Sequence, residues 1–181
     1  MSQPTAAVVI PLSSSDTGEG TVSPDNLSFS ATNWNAEQLV TVTGVDDNLS
    51  DGNQGYRIIL GADNSTSDTT GYNGLDPQDV AMSTTDDESA SFMVSAASGS
   101  TSEVGGTAVF GVRLMSQPTA AVVIPLSSSD TGEGTVSPDN LSFSATNWNA
   151  EQLVTVTGVD DNLSDGNQGC LLYTSPSPRD S

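Results

Sequence analysis

Residues Met1 to Gly55 return unchanged as Met115 to Gly169, 114 residues later, and the two copies part only where Tyr56 faces Cys170. Whatever the first stretch folds into, the second stretch must also be able to form, so the chain is built of repeated units and not around one long-range core. Domains ordinarily run to about 100–150 residues, so 181 residues with this period hold about one and a half units.

Within the repeat, the densest run of oxygen donors is GVDDNLSDGNQG, at Gly44–Gly55 and again at Gly158–Gly169. Its setting is strongly anionic: 23 Asp plus Glu stand against 3 Arg, with no Lys and no His, for a formal net charge of −20. Nucleic acid is excluded as a partner, because phosphate neutralisation needs clustered Lys and Arg. The acidity suits cations and a salty or extracellular medium. Enzymatic chemistry is poorly provided for, since His bases, Lys amines and an activated thiol are missing. Paired carboxylates could in principle serve glycoside hydrolysis, but that chemistry wants an aromatic-lined sugar cleft and aromatics are 5% of the chain. No apolar run approaches the roughly 20 residues of a transmembrane helix, and no signal peptide opens the sequence.

Both ends have the look of breaks in a longer reading. Met1 corresponds to Met115, which lies inside the continuous run TAVFGVRLMSQPTAAVVI, so an internal position is expected for it. Residues Cys170 to Asp180, CLLYTSPSPRD, share no pattern with the rest and resemble a translated transposase sequencing adapter. Residues 170–181 are therefore set aside as a non-native tail.

The body reads as short strands between turn residues. Ala6–Leu12 is apolar and β-branched and runs into a long polar loop, SSSDTGEGTVSPDN. Leu27 and Phe29 alternate with serines, Val40 and Val42 with threonines, and Tyr56, Ile58 and Leu60 with Arg57 and Ile59. Val80 and Met82, then Phe92 and Val94, mark two more strands. Thr107–Leu114 puts Ala108, Phe110, Val112 and Leu114 on one face. Seven such strands and no helix in a 114-residue period predict an all-β, immunoglobulin-like antiparallel β-sandwich.

The order of SEVGGTAVFGVRL, SQPTAAVVIPLSSSDTGEGTVSP, LSFSATNWNAEQLVTVTGVDD, YNGLDPQDV and TTDDE resembles the Calx-β-like tandem repeats of large bacterial surface and secreted adhesins, over essentially all of residues 1–169. A unit of that family begins at the strand here placed at Ser91–Ser95 and ends with the acidic triplet Asp86–Glu88. The resemblance therefore implies residues 1–88 as a repeat lacking its first two strands and 89–169 as one lacking its last two. Each would expose an unpaired edge and part of a core. Three arrangements remain open: consecutive units, which the short connection from Glu88 to Ser91 favours; a permuted pairing in which 89–114 closes on 1–88; or one in which 56–114 closes with 115–169.

The resemblance also implies Ca2+ and a ligand set. It points to Glu103; to Asp46 and Asp47 with Asp51; and to Asp86, Asp87 and Glu88. In the second copy the loop set is Asp160, Asp161 and Asp165. Calcium's preference for six to eight hard oxygens suits those residue types. The loop is no EF-hand: with Gly52 as the loop glycine, Leu49 falls on a ligand position and Ile58 where a bidentate Glu belongs. Asp16 and Glu19, with their copies Asp130 and Glu133, read as solvated turn residues. Trp34 and Trp148 read as packed corners and not as a sugar platform. The expected function is a non-catalytic, calcium-binding spacer stiffened against neighbouring repeats of the same chain, outside the cell or on a bacterial surface. The alternatives are a module that binds carbohydrate or another surface ligand, and an acidic spacer that needs no specific ion.

Overall fold

The computed structural model describes residues 2–63, 67–160, 166–169 and 171–174; Met1 and most of residues 170–181 fall outside them. The described residues hold thirteen short strands and no helix, and the paired strands within the sheets all run antiparallel. Accordingly, no helix is long and apolar enough to cross a membrane. The chain is an all-β protein of open, sandwich-type sheets. It divides into two compact units, one of Met1–Asp47 with Asp51–Asp87, the other of Asn48–Ser50 with Glu88–Ser181. Residues 89–114 are thus grouped with 115–169.

In the first unit, β1 (Val8–Ser14), β3 (Asn26–Phe29), β5 (Gln54–Leu60) and β6 (Val80–Thr84) form one sheet in the order β3-β1-β5-β6, while β2 (Gly20–Ser23) and β4 (Thr41–Gly44) form a second. β1 changes partner along its length: Val8–Pro11 pair with β3, and Leu12–Ser14 with β5. Pro11, which has no N–H to give a ladder, sits at that changeover, where its carbonyl still accepts from Gly61 N at 2.9 Å. The alternation expected in Tyr56–Leu60 is present: Tyr56 and Ile58 are buried and Arg57 faces out.

Two aspartates fasten the start of this unit to the loop after β5. Asp63 accepts from Val9 N at 3.0 Å, and Asp68 accepts from Thr5 N at 2.9 Å, from Thr70 Oγ1 at 2.7 Å and from Tyr72 N at 3.1 Å. Both side chains are buried. Burial works against ionisation of Asp68, but the hydrogen bonds from Thr70, Thr5 and Tyr72 outweigh it and hold the carboxyl well below the usual aspartate value of 3.8.

In the second unit, β7 (Phe92–Val94), β8 (Thr107–Leu114), β10 (Gly134–Ser137) and β12 (Gln152–Gly158) form a sheet in the order β10-β12-β8-β7. Opposite it, β9 (Val122–Ser128), β11 (Asn140–Phe143) and β13 (Leu172–Thr174) run in the order β11-β9-β13. Its core is Val112, Leu114, Leu126, Leu141, Phe143 and Val154, with Trp148 packed against them. That places Trp148 in a packed corner. The tail contributes β13, whose Thr174, Tyr173 and Leu172 oppose Leu126, Ser127 and Ser128. These are the positions that Leu60, Ile59 and Ile58 occupy against Leu12, Ser13 and Ser14.

Joined through the 114-residue offset, the two units give eight strand positions per repeat, one more than the alternation pattern predicts. The addition is the Gly20–Ser23 strand, with its copy Gly134–Ser137, which sequence reading leaves inside a polar loop. Its signal is masked by flanking Gly and Pro, and it is held by pairing, Thr21↔Thr43 and Val22↔Val42.

Candidate metal centre

At one end of the first unit three loops meet: Ser15–Glu19 between β1 and β2, the acidic run after β4, and the turn after β6. The register dictates the meeting, because Gly20 pairs with Gly44 and Gln54 with Thr84, which leaves the intervening loops at a common edge. Their junction is the carbonyl of Glu19. It accepts from Val45 N at 3.0 Å and from Thr84 Oγ1 at 2.6 Å.

The acidic run is itself folded over Asp86. Asp86 Oδ2 accepts from Gly52 N at 2.6 Å, and Asp86 N donates to Asn53 Oδ1 at 3.0 Å. Gly52 has φ +80, the left-handed conformation that side chains resist, so the glycine is what allows the turn to present its N–H to Asp86. Gln54 Nε2 closes the loop on Asp51 O at 3.1 Å.

This folding brings carboxylate oxygens of Glu19, Asp47 and Asp51 within 4.8 Å of one another. Asp46 and Asp87 stand equally close to each other, while Glu88 is grouped with the second unit. An ion that binds each oxygen at about 2.3–2.6 Å separates its ligands by at most about 5 Å, so Glu19, Asp47 and Asp51 fit around one Ca2+. The three carboxylates offer hard oxygens, with no His or Cys among them, a donor type that suits Ca2+, Mg2+ or Mn2+ and not a soft or imidazole-seeking metal. Electrostatics mark the same spot. Burial, followed by the negative charges of Asp51, Asp47, Asp16 and Asp86, pushes the Glu19 carboxyl above the usual glutamate value of 4.5.

Glu19, read from sequence as a solvated turn residue, is half-buried and stands in this carboxylate group. Its neighbour Asp16 does play that part, accepting from Gly18 N at 2.9 Å through Oδ1. What distinguishes the two is the topology of β1, β2 and β4, and no local pattern carries that. Of the residues expected as ligands in the first unit, Asp46, Asp47, Asp51, Asp86 and Asp87 converge on this end.

In the second unit Glu103 lies exposed in a turn closed by Gly106 N donating to Ser102 O at 3.0 Å. That turn adjoins the end of β12, where Gly158 N donates to Gly106 O at 3.0 Å. Val159 N donates to Glu133 O at 3.0 Å, as Val45 does to Glu19. Glu103 and Asp160 thus share one end of their unit, but neither belongs to a three-carboxylate group among the described residues. Asp161 and Asp165 lie outside the described residues. No protein-family model matches the chain, and no curated protein matches it.

Proposed function

We propose that the chain is a non-catalytic structural repeat whose acidic loop end binds calcium, a Calx-β-like spacer of an extracellular or bacterial-surface protein. The observation that carries this reading is the convergence of Glu19, Asp47 and Asp51 from two loops to within 4.8 Å, over a turn pinned by Asp86. Like charges gathered on hydrogen-bonded loops are unfavourable alone and become favourable around a divalent cation. The role is mechanical: a filled site locks the loops at the end of one unit, and so stiffens a tandem array that would otherwise self-repel and flex. Affinity in the 10⁻⁴–10⁻³ M range typical of extracellular modules would fill the site outside a cell and empty it within.

The test is thermal unfolding of the full chain with and without 10 mM calcium. With a Kd of about 1 mM, mass action adds about 1.4 kcal/mol to the unit that binds, a rise on the order of 5–10 °C in its midpoint. Asp47→Asn/Asp51→Asn should abolish the rise while 10 mM magnesium fails to reproduce it. An unmoved midpoint in the unaltered chain sinks the calcium reading and leaves an acidic spacer with no specific ion.

A further inference from the structure

The duplication sets the same residues in two surroundings. In the second unit β12 pairs with β8 over six residues, from Gln152↔Val112 to Thr157↔Thr107. The identical residues of the first unit, Gln38–Thr43, have no strand on that edge among the described residues, because β4 pairs with β2 alone. The strand is shorter for it: seven residues, Gln152–Gly158, against four, Thr41–Gly44. Val154 is 0% exposed and its counterpart Val40 is 36% exposed. Phe143 is likewise fully buried, whereas Phe29 is only half-buried.

Beside that edge the first unit has an open apolar groove of about 450 Å³, floored by Leu12, Ile58, Leu60, Val80 and Met82, with Val40 and Val42 along one wall. The counterparts of Leu12 and Val40 are Leu126 and Val154. In the second unit both belong to the core cluster that contains Val112 and Leu114 of β8. The groove therefore corresponds to the space that β8 fills.

We propose that the β4 edge and its groove are an acceptor site for a second copy of the β7–β8 hairpin, Ser91–Leu114. The hairpin enters antiparallel to β4, with Val112 opposite Gln38, Phe110 opposite Val40 and Ala108 opposite Val42, the register of the second unit displaced by 114. Main-chain bonds to the open edge supply affinity, and the inward row of Ala108, Phe110, Val112 and Leu114 supplies specificity. Ser91–Leu114 contains one Glu and one Arg, so it approaches an acidic protein without net charge of its own. Repeats linked in this way would be joined by strand exchange, a different linkage from a shared cation.

The experiment adds synthetic Ser91–Leu114 to the full chain and follows amide hydrogen exchange. Exchange across Gln38–Thr43 should slow at least tenfold, with one peptide bound per chain, and a peptide carrying Phe110→Asp/Val112→Asp should have no effect. No slowing with the peptide in millimolar excess, or equal slowing by the altered peptide, overturns the proposal; the second result marks the groove as a non-specific apolar surface. Because an isolated hairpin can fail to fold, a covalent arm places Ser91–Leu114 directly before Met1, which recreates the Leu114–Met115 junction. That fusion should protect Gln38–Thr43 and raise the melting midpoint of the first unit, and the same two substitutions in the added hairpin should remove both effects. Fast exchange at Gln38–Thr43 in the fusion also overturns it. Protection there that grows with concentration of the unaltered chain supports it, as hairpin exchange between copies.

Discussion

Val40 and Val154 offer a controlled comparison, because they share side chain and flanking sequence and differ in whether a β8 strand covers them. Truncation of a valine to alanine removes two carbon groups, each contributing about 0.8 kcal/mol when fully buried, so Val154→Ala loses about 1.6 kcal/mol of transfer free energy. Val154 is 0% exposed and packs among Leu126, Leu141 and Phe143, so the vacated space stays partly empty and brings the cost to about 2 kcal/mol or more. At Val40, with 36% exposure, only about two-thirds of the transfer free energy is at stake, and water can occupy the space. Val40→Ala should therefore cost about 1 kcal/mol.

Native-state hydrogen exchange separates the two units where a single melting curve blends them. The slowest amides of β12 should exchange about 30-fold faster in Val154→Ala, and those of β4 about fivefold faster in Val40→Ala. The difference should close when Ser91–Leu114 is fused before Met1, since Val40 then acquires the surroundings of Val154. Equal costs in the unfused chain would refute the claim that the β4 side lacks its cover.

Three further outcomes follow from particular contacts. Glu19→Gln should stabilise the calcium-free first unit at pH 7 and weaken its response to calcium. A carboxyl raised in the folded state favours folding below its unfolded value and disfavours it as pH rises through the folded one, so this gain should fade as pH falls to 4.5, as read by melts at several pH values. Asp68→Asn should destabilise the same unit at neutral pH. Because the Asp68 carboxyl is depressed, its contribution is present above 3.8 and lost as pH falls below that value, so the parent and variant melting points should converge in acid. Replacing residues 170–174 by the Tyr56–Leu60 sequence, YRIIL, should stabilise the second unit by about 2 kcal/mol, read by chemical denaturation. The gain comes chiefly from a tyrosine whose counterpart Tyr56 is buried; no gain would separate β13 from the role of β5.

Alternation makes Tyr56–Leu60 and Thr107–Leu114 legible from sequence alone, because a half-buried strand writes its two faces into every second residue. Gly20–Ser23 is not legible in this way. Four residues bounded by glycine and proline carry no period, and partner strands decide their conformation. The contrast between β4 and β12 lies beyond any reading of local sequence, since the two sequences are the same. Gln38–Val40 extends a strand only where a neighbour accepts its main chain, so strand length here is a property of the pairing. The acidic loop shows the same division. Its donors are plain in GVDDNLSDGNQG, but the recruitment of Glu19 depends on Val45 and Thr84 meeting one carbonyl.

The open edge and the acidic end are joined through a single strand terminus. Gly158 is buried and its N–H is anchored on Gly106 of the β7–β8 hairpin, whereas Gly44 is exposed, and two residues beyond it the acidic loop with Asp46 and Asp47 begins. A hairpin docked on β4 would fix Gly44 and so restrict the loop that carries the proposed calcium site. If so, calcium and the hairpin favour one ordered state of the same loop, and by linkage each must raise the other's affinity by one common factor. Titrations of calcium with and without the fused hairpin, and of peptide with and without calcium, should return that same ratio. A ratio of one in both directions would show that the loop is already ordered without the hairpin, held there by the Asp86 bonds to Gly52 and Asn53 alone.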